Sequence, residues 1–360
     1  MSVAGVGTRV LAVLGDPRRG GLPATALDDA VTALAALWLV SGLVLEAWAH
    51  GATPEPGSFF AAWHLVFDTG FVAMAGWTLA LVWRRTRGGL RGFAAVPLGY
   101  RSTVVAVAGF AVSGVIDLIW HAYFGAQTGI GMLFAPGHLG LAVSMLVLVT
   151  SPVRSAMGRA DVGEAPPLRL LWPALLTTGL AAALVMVFVG YGNAITYSAA
   201  RIVEVLSQTD DSPVRELAAS VVISAAVLLV PLLFLARRWR LPFGAGMLTM
   251  LPVIVVSGAE TGGNNVSVLL AFVIAAVGVD LLILCLDPCA ARPGIYWGFS
   301  CAAAFFTWSL YIGIAAAAAG QAPSVVELWT GIPIMAGLLG WLLGVLMLPS
   351  RHPMPPIALP

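Results

Sequence analysis

Lysine is absent from this chain, and all 18 of its basic residues are arginine. Charge of either sign is scarce: 10% of the 360 residues, where a soluble domain carries roughly 25%. That leaves no basic surface for a nucleic acid and no polar shell for a soluble enzyme. Three cysteines are too few for the disulfide framework of a secreted scaffold. Cys285 and Cys289 flank Leu-Asp-Pro in a spacing that suits zinc poorly, Cys301 sits in an apolar run, and all three read as small packing residues. No phosphate-binding glycine loop, nucleophile elbow or ATPase motif is present, which argues against a primary pump.

Apolar length is abundant. Hydrophobic residues make up 59% of the chain, and the mean hydropathy is +0.94. Runs of about 20 apolar residues are long enough to cross a bilayer. Breaks at Gly, Pro and Arg clusters divide them into ten expected spans: 28–50, 58–83, 103–124, 135–152, 169–192, 216–236, 242–259, 265–286, 294–319 and 325–348. The fold class expected is therefore all-α, a polytopic integral membrane protein. Residues 193–215 are polar enough to suggest a surface loop with at most a short helix.

Arginine sets the orientation. Arg9, Arg18 and Arg19, then Arg84, Arg85, Arg87, Arg91 and Arg101, then Arg154, Arg159 and Arg169, then Arg237, Arg238 and Arg240, then Arg292 and Arg351, all fall on one side of the ten spans. Arg201 and Arg215 fall on the other. The arginine-rich side is expected to be cytoplasmic, with both termini on it. Abundant Ala and Gly without Lys suits a GC-rich bacterial genome, hence a bacterial plasma membrane. Arg18-Arg19, an apolar run and Ala47-Trp48-Ala49 imitate a signal peptide, but the run is long enough to span and Asp28-Asp29 interrupt its approach. The expected organisation is an N-terminal segment 1–27, a four-helix unit 28–152, a six-helix scaffold 169–348 and a tail 349–360.

The five histidines carry the chemistry. His352 lies in the tail; His50, His64, His121 and His138 lie in the first four spans. Three have an acid four residues away: Glu46 with His50, Asp68 with His64, and Asp117 with His121. Residues so spaced share one helix face. The orientation puts Asp117 about 20 Å up a hydrocarbon core about 30 Å thick, and puts the other members in the same outer-leaflet layer. Each such group costs about 2.5–3.5 kcal/mol to insert, so the seven should share a polar pocket. The order acid, His, loop, His occurs twice, as Glu46-x3-His50-x13-His64 and Asp117-x3-His121-x16-His138, which suggests an internal repeat. Imidazole with carboxylate and no thiolate suits copper, zinc, iron or nickel. Trp48, Trp63 and Trp120 would either restrict solvent around the site or form an interfacial aromatic belt. Buried His–carboxylate pairs that merely fix helix packing, a proton relay and a haem pocket are the competing readings.

The stretches Asp117-Leu-Ile-Trp-His121 and Phe134-Ala-Pro-Gly-His138 resemble the membrane copper site of the C subunit of particulate methane and ammonia monooxygenases. That resemblance covers some 22 residues and implies that Asp117, His121 and His138 ligate a metal, copper being the expected one. Glu46, His50, His64 and Asp68 have no counterpart in it. Glu46-Ala-Trp-Ala-His50 with Phe59-Phe60-Ala-Ala-Trp63-His64 also resembles a group of bacterial polytopic membrane proteins, which implies membership without implying an activity.

The last six spans contain no histidine. Tyr191 and Asn193 are among the few polar residues there, and Glu260, Asn264, Asn265 and Glu327, on the outer side, read as ordinary loop residues or the lining of an entrance. Asp280 lies within a span and is either functional or bonded to a neighbouring helix. Gly258, Gly262 and Gly263 suggest a flexible helix end. Three functions are open: a copper protein with oxidase or monooxygenase-like activity on a hydrophobic small molecule from the lipid, a proton- or metal-coupled transporter, and a b-type cytochrome. The expected partners are the lipid bilayer, that substrate, and further copies of the chain or partner subunits.

Overall fold

The computed structural model describes residues 22–52, 62–125 and 130–348, without the side chains of Ala47, His50, Gly51, Ala52, Ile130 and Met132. Among the described residues there is no strand beyond one isolated bridge between Pro23 and Leu98. Among the described residues ten long helices run in order: α1 (Ala26–Ala52), α2 (Ala62–Arg87), α3 (Arg101–Phe124), α4 (Pro136–Gly158), α5 (Leu168–Phe188), α6 (Asp211–Arg238), α7 (Ala245–Glu260), α8 (Val266–Leu286), α9 (Pro293–Ala319) and α10 (Val326–Met347). Nine are long and apolar enough to cross a membrane. The tenth, α7, has 16 residues and spans about 24 Å at 1.5 Å per residue. The helices are apolar on all sides, as elements must be when lipid and protein share their surfaces.

α5 is the most deeply buried span and packs against α1, α4, α6 and α7. α2 and α3 lie at the periphery and leave residues such as Val72, Val112, Leu118 and Ile119 exposed. α9 sits between α8 and α10, and its contact with α10 is close because Gly337, Gly340 and Gly344 face Cys301, Ser300 and Trp297. Cys301 is thus a packing residue, as expected. Cys285 is exposed, so packing does not explain it.

The expected loop after α5 carries the short helix expected of it and is exposed over most of its second half, but its first part is buried. Two 3-10 turns, Gly190–Gly192 and Ala194–Thr196, and a short helix, Ala199–Val205, lie among α6, α7, α8 and α9. Ala194, Ile195 and Ile202 are fully enclosed. Irregular backbone tolerates such burial only when its polar groups are paired. Side chains do the pairing here. Ala194 N donates to Ser224 Oγ (2.9 Å), Tyr311 Oη donates to Ala194 O (2.9 Å), Ile195 N donates to Asn193 Oδ1 (3.1 Å), and Asn265 Nδ2 donates to Ile195 O. Asn193, at the start of the expected loop, and Asn265, read above as a loop or lining residue, are the staples of this plug. Glu260 belongs to it as well, accepting from Asn193 Nδ2 at 3.1 Å.

Asp280 resolves to a bond with a neighbouring helix. Buried in α8, it accepts from Gly246 N (2.7 Å) and Met247 N (3.0 Å), the unpaired donors at the start of α7. The partial positive charge of that helix end meets the carboxylate.

Candidate metal centre

Two antiparallel hairpins, α1–α2 and α3–α4, carry the predicted residues. In each, small side chains let the two helices close up. A Cβ on Gly42 would lie 2.5 Å from Phe67 Cα, and one on Gly70 would lie 2.7 Å from Leu39 Cα. In the second hairpin, a Cβ on Gly137 would lie 2.6 Å from Asp117 Cα, and one on Gly109 would lie 3.1 Å from Ser144 Oγ.

That closeness brings each acid across to the histidine of the opposite helix. Glu46 Oε1 is 2.9 Å from His64 Nδ1. Asp117 stands between two imidazoles, with Oδ1 3.1 Å from His138 Nδ1 and Oδ2 3.4 Å from His121 Nδ1. His121 Nδ1 is also 2.9 Å from the backbone carbonyl of Asp117, one turn earlier. When Nδ1 donates there, Nε2 carries the free lone pair. The rings of His121 and His138 meet edge-on, with centroids 5.7 Å apart. Asp117 Oδ1 and His138 Nδ1 are both buried and, despite their proximity, neither makes a hydrogen bond. Orphaned polar atoms in an apolar setting are costly, about 1–3 kcal/mol each.

The remaining predicted residues do not join the Asp117 trio among the described side chains. Asp68 is one turn below His64 and exposed. His50 lies in α1, with its side chain outside the described residues, as is all of His352. Trp63 packs beside the His64 ring at 6.2 Å, and the indole nitrogens of Trp63 and Trp120 are buried without a hydrogen bond. Trp48 is exposed. No group of three or more His, Cys, Asp or Glu among the described residues is placed to hold a metal ion as it stands. In the trio, both imidazoles turn Nδ1 to the carboxylate, so the contacts are pairwise.

The donor set nevertheless has the chemistry of a metal site: two imidazoles and a carboxylate, no competing Lys, and two donor atoms without hydrogen bonds.

The opposite end holds a cluster that spacing did not single out. Asp29 of α1 accepts from Tyr100 Oη (2.8 Å), Ser155 Oγ (3.0 Å) and Arg159 Nη1 (3.0 Å). Tyr100 Oη also lies 2.9 Å from Thr32 Oγ1. Asp29, Thr32, Tyr100, Ser155 and Arg159 are all buried. Arg84 Nη2 bonds Asp28 Oδ1 at 2.7 Å beside them. Beyond the span, the Arg159 guanidinium holds the Asp161 carboxyl below the usual carboxylate range by hydrogen bonding to it. The signal in the sequence was Asp28-Asp29 at the mouth of a span, where two acids need partners.

No protein-family model, curated protein or solved structure matches this chain.

Proposed function

We propose that the chain is a metal-binding protein of a bacterial plasma membrane, with copper held by Asp117, His121 and His138 in the outer leaflet. On this reading it crosses the membrane ten times with both termini cytoplasmic. The observation that carries it is the pair of buried donor atoms, Asp117 Oδ1 and His138 Nδ1, set 3.1 Å apart without a hydrogen bond. A pair serving packing alone would close that bond. The resemblance at Asp117–His121 and Phe134–His138 is the reason to place copper ahead of zinc or iron. Asp117 contacts both imidazoles, one through each carboxylate oxygen, and the His121 contact to the Asp117 carbonyl orients its ring. Bound copper supplies one-electron redox chemistry, and the exposed apolar flanks of α2 and α3 give a hydrophobic substrate in the lipid direct access.

The test is purification in detergent followed by mass spectrometry for Cu, Zn and Fe, with Asp117→Asn and His121→Ala in parallel. Copper in the unaltered protein, reduced in both variants, is expected. No metal after reconstitution with Cu(I), Cu(II) and Zn(II) overturns the reading and leaves proton-coupled transport as its successor.

A further inference from the structure

We infer that the α1–α2 hairpin holds one anionic phospholipid of the leaflet at the arginine-rich end, its acyl chain in a groove between the two helices and its phosphate on Arg84 and Arg87.

The groove has a cause in the sequence. Gly42 and Gly70 are spent on the contact between the helices, where an added Cβ would strike backbone at 2.5 and 2.7 Å. Gly76 is not: a Cβ there would meet nothing within 4 Å. Ala35, Ala73 and Gly76 leave a low floor, and the exposed side chains of Leu34, Trp38 and Val72 stand beside it. The space they line is about 480 Å³. Bulk lipid asks only for an apolar surface, not for a trough. Trp38 lies about 18 Å into α1, too deep for an interfacial aromatic belt.

The groove leads to charge. Ala73, Gly76, Ala80, Arg84 and Arg87 follow one another at intervals of three, four, four and three residues, the spacing of one helix face. Trp77 joins the two parts. It lines the groove, its Nε1 donates to Thr32 Oγ1 at 3.1 Å, and the Arg84 guanidinium lies 4.9 Å over its ring. Arg87 lies 4.0 Å over Trp83. Residues 80–100 hold four arginines and no acid. Asp28 answers one of those charges, through its 2.7 Å bond to Arg84, and the cluster stays net positive. Along α2 the groove runs from about 6 to about 18 Å from Arg84, where one leaflet contributes about 15 Å of hydrocarbon. A phosphate at the arginines therefore puts its acyl chain in the groove. Basic pockets beside membrane helices take anionic headgroups in this way. A second copy seated symmetrically on the same face would instead bring two arginine clusters together, and like charges oppose that.

The experiment titrates the full-length chain, delipidated in detergent, with phosphatidylglycerol or with phosphatidylcholine of the same acyl chains. Native mass spectrometry counts the lipid retained per chain. One phosphatidylglycerol is expected, held in preference to phosphatidylcholine. Arg87→Gln leaves the Asp28–Arg84 pair intact and should weaken retention about fivefold. Gly76→Leu fills the groove from a position without neighbours and should abolish it. Gly114→Leu, equally without neighbours but on α3, should change nothing. Melting curves check that each variant folds. Equal retention of the two lipids overturns the proposal. So does phosphatidylglycerol indifferent to Gly76→Leu, which would sit elsewhere, or indifferent to Arg87→Gln, which would be held without its headgroup. Absence of bound lipid also overturns it, and a dimer broken by Gly76→Leu would then name a second copy as the occupant.

Discussion

Gly137 is the residue on which the candidate centre most depends for its shape. Its missing side chain leaves Asp117 room to lie against α4, where an added Cβ would sit 2.6 Å from three Asp117 atoms. Gly137→Ala must push α3 and α4 apart, and overpacking of this kind costs about 1–3 kcal/mol. Gly114→Ala, on the same helix as Asp117 but with nothing within 4 Å of the new methyl, should be neutral or stabilising by about 0.5–1 kcal/mol. Detergent melting curves of the two variants check this, and equal melting temperatures would show that α4 does not press on Asp117. The i,i+4 spacing of Asp117 and His121 was legible because it belongs to one helix. The pairing of Glu46 with His64 was not, since it depends on how two helices close over Gly42 and Gly70. Asp280 was legible as a buried acid needing a partner, but nothing local in sequence says that the partner is the start of α7.

That start is where a single helix is at stake. α7 is the shortest of the ten and opens at Gly244 in a left-handed conformation, so its first turn has no side-chain cap of its own. Asp280 supplies the cap from α8. Asp280→Ala would leave the buried N–H groups of Gly246 and Met247 unpaired, at about 1–3 kcal/mol each. Asp280→Asn keeps one acceptor and should fall between. Hydrogen exchange at Gly246 and Met247 should accelerate in that order, and unchanged protection in Asp280→Ala would show that water or another group replaces the cap. The plug between α5 and α6 teaches the same lesson. Its Gly, Asn, Thr and Ser content reads as an exposed loop, because turn composition is the same for a surface turn and for one sealed by Ser224, Tyr311 and Asn265. What separates them is hydrogen-bonding partners 30 or more residues away. The spans themselves were readable, since apolar length is a local property. The stretch assigned to α7 was readable as apolar too, but the structure makes its helix short.

Over the whole molecule, the arginine-rich end is held by a buried ion pair and the opposite end carries the histidines. Asp29 and Arg159 are each 3% exposed at the side chain and join α1 to the end of α4, with Tyr100 and Ser155 completing the carboxylate's shell. A buried pair is weak evidence of net stabilisation, but breaking one partner is costly, about 3–5 kcal/mol, because the other charge stays buried alone. Arg159→Met should therefore lower the melting temperature sharply, and Asp29→Asn added to it should recover part of the loss. A double variant as unstable as the sum of the single ones would show that the two residues act independently. Asp161 loses its partner in Arg159→Met as well. Its lowered carboxyl pKa contributes stability that is present above the ordinary carboxylate range and is lost as pH falls through the folded value. The variant should thus be less acid-sensitive between those two points than the unaltered protein. The same arrangement predicts sidedness. Glu164 is exposed at the arginine-rich end, and Gln321, between α9 and α10, is exposed at the other. In a background with Cys285, Cys289 and Cys301 replaced by alanine, a membrane-impermeant maleimide applied to spheroplasts should label Gln321→Cys at once. Glu164→Cys should react only after the membrane is opened. Labelling in the reverse order would put the histidine layer on the cytoplasmic face, and the proposed copper would then have to reach it from the cytosol.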